Sequence, residues 1–235
     1  MSICNRLKST VGRKLLMALS GIALMLFLCV HLAGNLTLFF GHGELFNSYA
    51  YHLESLPPVV YTAEFFLTAI FLYHIVTAIQ IQLGGGAARG SRYEVVASKG
   101  GPSKQTIASR SMIITGLVLL VFIPIHIVMF KFNWFHPHGV AKLHGEDVKD
   151  LYGTVVAHFK QPAWTLIYVA VMLFLGFHLR HGFWSALQSL GAMNPKISPA
   201  IYAGGIIFAL LMAGGFLVLP LFIFFTHGGC CGGAP

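Results

Sequence analysis

Charge is what this sequence has least of. Asp, Glu, Lys and Arg make up 9% of its 235 residues, whereas a soluble globular domain carries about 25%. Acidic residues are the scarcer kind, seven against fifteen basic ones. Cysteine is nearly absent as a chemical resource. Cys4, Cys29, Cys230 and Cys231 form no CxxC pair, Cys29 lies inside an apolar run, and the last two sit in a glycine-rich tail. That argues against a thiolate metal site and a disulfide framework, both of which need spaced sets. Segments of about ten residues with strictly alternating polarity are also missing, which argues against a transmembrane barrel.

What the sequence has is apolar length. Hydrophobic residues make up 56% of it, and the mean hydropathy is +0.76. Five apolar runs fall at approximately 15–40, 59–83, 111–130, 164–187 and 200–225. A helix needs about 20 apolar residues to cross a bilayer. The expected fold is therefore all-α: one polytopic membrane domain over 1–235 with five transmembrane helices. The first run has the basic head of a signal peptide, but it is too long and contains His31, so it reads as a retained span. Leu45, Phe46, Tyr49 and Leu53 fall at helical spacing before Pro57-Pro58, which predicts a short interfacial helix. Val148, Leu151, Tyr152, Val155, Val156 and Phe159 lie opposite Glu146, Asp147, Lys149 and Asp150. That spacing predicts an amphipathic helix over 145–160, flat on the membrane surface. The fifth run holds no ionisable residue, and Gly204, Gly205, Gly214 and Gly215 mark it as a packing helix.

The formal charge of +8 reflects topology more than nucleic-acid binding, because the basic residues cluster between spans. Four precede the first span, five lie in 84–110, and Arg180 and Lys196 flank the end of the fourth; the opposite side holds four. Eleven against four puts the N-terminus in the cytoplasm and the C-terminus outside.

Within this apolar frame, each of the first four spans carries one histidine: His31, His74, His126 and His178. An ionisable residue at that depth is a candidate functional site. With odd spans running outward and even spans inward, His31 and His126 fall near the outer side, and His74 and His178 near the inner. Two histidines at matched depth on different helices are what a six-coordinate haem needs, one axial nitrogen from each. Zinc is disfavoured, since two pairs at different depths do not make one tetrahedral site. A lone histidine in a span usually hydrogen-bonds between helices; four, one per span and paired by depth, point to two haems. Gly34, Ala78 and Gly182, about one turn after His31, His74 and His178, favour close approach of a flat ring. His181 cannot ligate the same iron face as His178; with Arg180 it lies at the inner boundary, where haem propionates take charge-assisted hydrogen bonds.

The segments Gly12-Arg-Lys-Leu-Leu-Met-Ala-Leu-Ser-Gly21, His31-Leu-Ala-Gly-Asn35, Phe46-Asn-Ser-Tyr-Ala50, His178-Leu-Arg-His-Gly182 and Leu187-Gln-Ser-Leu-Gly191 carry a resemblance. Together they resemble the cytochrome b membrane-anchor subunit of succinate dehydrogenase and fumarate reductase, in its single-chain, five-helix, two-haem form. The resemblance covers nearly the whole chain. It implies two haems b: His31 and His126 on the distal, outer one, and His74 and His178 on the proximal, inner one. It further implies menaquinone or menaquinol as the electron-exchanging substrate, and flavoprotein and iron–sulfur subunits as partners on the cytoplasmic side. The basic 84–110 loop and the N-terminus would be their docking surfaces. The setting it implies is the inner (cytoplasmic) membrane of a prokaryote, with a dimer of heterotrimers compatible. No succinate site is implied on this chain, and either direction of electron flow is. Glu54 is the best positional match to a family carboxylate that handles quinol protons, with Glu64 second. Some two-haem members carry a glutamate two residues before the helix-four ligand; Gly176 stands there, which puts that proton route in doubt.

Two other readings compete. The cytochrome b subunit of a hydrogenase or formate dehydrogenase has different motifs and ligand distribution. A proton-coupled transporter would use histidines too, but usually with broken helices at mid-membrane, and the first four spans here are continuous.

Overall fold

The structure, a computed structural model, describes residues 9–87, 111–135, 139–143 and 145–227. The extreme N-terminus, the basic loop from 88 to 110, His136, His138, His144 and the Cys230-Cys231 tail lie outside the described residues.

Among the described residues, five helices are long and apolar enough to cross a membrane. They are α1 (Thr10–Leu36), α3 (Pro57–Ala87), α4 (Met112–Phe130), α6 (Pro162–Ser189) and α7 (Ser198–His227). Between them lie α2 (Glu44–Glu54), strands β1 (Gly139–Leu143) and β2 (Glu146–Asp150), and α5 (Leu151–Phe159). The chain is a multi-pass helical membrane protein. Ser9 caps the first helix by accepting from the Gly12 N–H at 3.1 Å. Pro162 opens α6 in its first turn, where a missing N–H costs nothing.

The spans form an unequal bundle. Helix α6 packs most extensively on α7, α1 packs on α3, α6 and α7, and α4 packs on α6. Helix α3 rests chiefly on α1 and is the least buried span. Glycines on α7 set its distances. A methyl at Gly215 would lie 2.7 Å from Leu32, and one at Gly205 3.4 Å from the Arg180 carbonyl, so small residues are what let α7 approach α1 and α6. Gly214 has open space beside it and plays no such part.

One end of the bundle carries a cap built from α2, the β-hairpin and α5. The helix predicted over 145–160 is shorter than expected, and the chain is not purely α-helical. Residues 146–150 pair antiparallel with 139–143, from Gly139 opposite Asp150 to Leu143 opposite Glu146. Gly145, at φ +90°, makes the turn. Val148 alone of that strand is buried, so its side-chain pattern fits a strand as well as a helix, and the turn decides. Asp150 then caps α5 by accepting from the Gly153 N–H at 2.8 Å. Nor does α5 lie with its apolar face on lipid. Val155, Val156 and Phe159 are buried with Phe46, Leu38, Leu32, Met129, Tyr168, Leu219 and Ile223, so the cap closes over the helix ends. Asn47 holds the pieces together, donating to Asp150 at 2.9 Å and accepting from the Tyr152 N–H at 2.9 Å.

Candidate functional site

The four span histidines meet as two pairs. Near the cap, the rings of His31 on α1 and His126 on α4 have centres 5.8 Å apart with planes at 90°. Toward the other end, the rings of His74 on α3 and His178 on α6 have centres 6.5 Å apart at 65°. Among the described residues no three His, Cys, Asp or Glu side chains gather. Each pair joins two helices that are not adjacent in sequence.

Each ring is held by a named partner. Ser20 Oγ lies 3.1 Å from His74 Nδ1 and 2.9 Å from the Met17 carbonyl. Thr115 Oγ1 lies 3.2 Å from His178 Nδ1 and 3.0 Å from the Met112 carbonyl. A hydroxyl has one proton, and a carbonyl can only accept, so each hydroxyl proton goes to the helix and each imidazole donates from Nδ1. His126 Nδ1 is 3.1 Å from the Tyr168 hydroxyl, which lies 3.6 Å from Met129 Sδ. His31 is held differently: Asn35 Nδ2 donates to the His31 carbonyl at 2.8 Å and lies 3.5 Å from its Nε2. Phe27 stacks on the His31 ring, and the Phe216 ring lies tilted against it with centres 5.6 Å apart.

The levels of the two pairs follow from helix geometry. Ser20 precedes His31 by 11 residues on α1, and Thr115 precedes His126 by 11 on α4. Eleven residues are about three turns and about 16 Å of rise, on one face of a helix. Tyr168 precedes His178 by ten on α6, about 15 Å by the same rise. Three helices therefore agree on the separation of the pairs along the bundle.

The residues fit haem. An imidazole nitrogen binds a first-row metal at about 2 Å and its ring centre lies about 1 Å behind, so two axial imidazoles on one iron set their ring centres roughly 6 Å apart. Separations of 5.8 and 6.5 Å sit on either side of that figure. In His74 and His178 the hydroxyl partner takes Nδ1, leaving Nε2 as the nitrogen with a lone pair to give.

Other expected residues fall as follows. His181 has its Nδ1 buried without a hydrogen-bond partner among the described residues, and its ring stands edge-on to Trp184 at 4.9 Å. Arg180 is half-buried beside it. An orphaned buried nitrogen at that boundary is open to an anionic group. Glu54 sits on the cap surface, its carboxylate 3.0 Å from Lys149 and its side chain 58% exposed. Glu64, inside the second span, is ion-paired with Lys131 at the cap-side end of α4 and is 39% exposed. Gly34 does not face a flat group between helices: a methyl there would lie 2.7 Å from the Tyr49 ring. Gly182 faces Met25 and Met112. Gly176 packs on α7, where a methyl would lie 3.2 Å from Ala213 Cβ, so a glutamate there would have to displace α7.

No family model matches the chain, and no curated protein or solved structure matches it. Sequence reasoning passed over Ser20, Thr115 and Tyr168. The signal was present: a hydroxyl residue followed by glycine, 11 residues before the histidine, occurs in both α1 and α4.

Proposed function

We propose that the chain is the haem b membrane-anchor subunit of a succinate:quinone oxidoreductase, either a succinate dehydrogenase or a quinol:fumarate reductase. It exchanges electrons between menaquinone or menaquinol in the bilayer and iron–sulfur and flavoprotein subunits on the cytoplasmic side. The observation that carries this reading is the pair of histidine pairs, each spaced for one iron and set about 16 Å apart along the bundle. The family resemblance of the sequence segments supplies the succinate chemistry, which belongs to the partner subunits.

In this reading His31 and His126 hold the outer haem, and His74 and His178 the inner one. When bound, each haem supplies a one-electron redox centre inside the membrane. The chain's own side chains do the rest. Ser20, Thr115 and Tyr168 orient the imidazoles. Phe27, Phe216, Phe122 and Phe130 keep water from the outer pair. Arg180 and His181 face the propionates of the inner haem. A carboxylate that exchanges a quinol proton works best when partly shielded; Glu54 is the expected residue, and Glu64, less exposed and within a span, meets that requirement better. The excess of Lys and Arg opposite the cap puts the cap outside the cell and the partner subunits at the other end.

The test is a reduced-minus-oxidised spectrum of the purified complex with haem counted per chain. Two b-type haems are expected. His74→Ala and His178→Ala should each remove one spectral component, and His31→Ala and His126→Ala the other. A complex with no haem overturns the reading; His31→Ala and His74→Ala removing the same component overturns the pairing.

A further inference from the structure

The two hydroxyls beside the inner pair occur in one arrangement, built twice. Ser20 and Thr115 lie on different helices, and their contacts match closely: 3.1 and 3.2 Å to Nδ1, 2.9 and 3.0 Å to the carbonyl three residues earlier. Each is followed by a glycine over which the ring lies. A methyl at Gly21 would be 3.5 Å from His74 Cε1, and one at Gly116 3.6 Å from His178 Cε1. In both cases the hydroxyl comes from the helix that does not contribute to that pair, so α1 and α4 hold His74 and His178 as well as carrying His31 and His126.

We infer that Ser20 and Thr115 are matched positioning residues that fix the Nδ1–H tautomer of His74 and His178 and tune the redox potential of the group bound between them. This rests on the haem reading above. The physics is that a histidine ligand donating its distal N–H to an acceptor becomes the more basic ligand and is held in orientation. A hydroxyl already committed to a helix carbonyl offers only its oxygen and so can only accept from the ring. It does this without a charge, which in a hydrocarbon setting is far less costly than a carboxylate acceptor. Because the two contacts are alike, both histidines would receive the same treatment, and loss of either contact would weaken electron donation to a haem iron held between them.

Potentiometric titration of the haem absorption bands in the purified complex tests this, with His178→Ala identifying the inner component. Thr115→Val keeps the shape and removes the hydroxyl; Thr115→Ser keeps the hydroxyl. The expected result is a rise in the inner midpoint potential in Thr115→Val and Ser20→Ala, a larger rise in the double variant, wild-type behaviour in Thr115→Ser, and an unmoved outer component throughout. Loss of the inner haem in Thr115→Val with its retention in Thr115→Ser supports the same role. An unmoved inner potential in the double variant overturns the inference, and so does an equal shift in Thr115→Ser and Thr115→Val. If the wild-type complex holds no haem, the functional reading itself has failed, a result separate from either of these.

Discussion

Beside the cap-side pair, Tyr168 has a place comparable to that of Ser20 and Thr115 beside the other. Its hydroxyl joins His126 Nδ1 to Met129 Sδ within a cluster of aromatic rings. Tyr168→Phe keeps the ring packing and leaves His126 Nδ1 without its partner in a dry site, which costs about 1–3 kcal/mol. The expected outcome is a lower unfolding temperature for the complex in detergent and a change confined to the spectral component that His126→Ala removes. A change in the other component would mean that the two levels are not independent. His31, by contrast, has an amide neighbour in Asn35 rather than a hydroxyl, so the cap-side pair is held asymmetrically.

At the scale of elements, the close approach of α7 to α1 and α6 depends on glycine. Gly215 faces Leu32, buried one residue after His31. Gly215→Val drives new atoms into the Leu32 side-chain end, which must turn aside or strain the packing of α7 on α1, and overpacking of this kind costs about 1–3 kcal/mol. Leu32→Ala opens room on the other side. The double variant should therefore be more stable than the sum of the single losses, as thermal unfolding of all four proteins in a mutant cycle would show. Additive losses would place the strain elsewhere. The β-hairpin shows where element reading from periodicity fails. Five residues with one buried position satisfy a helix template and a strand template alike, and the deciding feature is Gly145 at positive φ with the partner strand beyond it.

At the scale of the whole molecule, the first four spans are two helix pairs with one layout. Helices α1 and α4 carry hydroxyl, glycine and then histidine at the same 11-residue spacing, and α3 and α6 bring the opposing histidines. Helix α7 stands outside this pattern and closes the bundle. The cap distinguishes the two faces and makes orientation testable. Lys149 on the hairpin is well exposed. A membrane-impermeant amine reagent is expected to label it in intact cells and not in sealed inside-out vesicles. Labelling only in the vesicles would invert the proposed topology and put the proposed partner subunits on the cap side.

The number of helices able to cross a membrane and the level of each histidine along its helix were legible from counting along one chain: apolar length matches bilayer thickness, and rise per residue converts position into level. Matching of depths sorted the histidines into the same pairs whose rings lie together. What surrounds those rings depends on packing between helices distant in sequence. Ser20 is 54 residues from His74 and Thr115 is 63 from His178, and a small hydroxyl on an apolar helix gives no local sign of which ring it will face. Nor could spacing show that Gly34 makes room for Tyr49 or that Gly176 is spent on α7. Such contacts depend on how each helix is rotated about its axis, and that rotation is set by packing against neighbours distant in sequence.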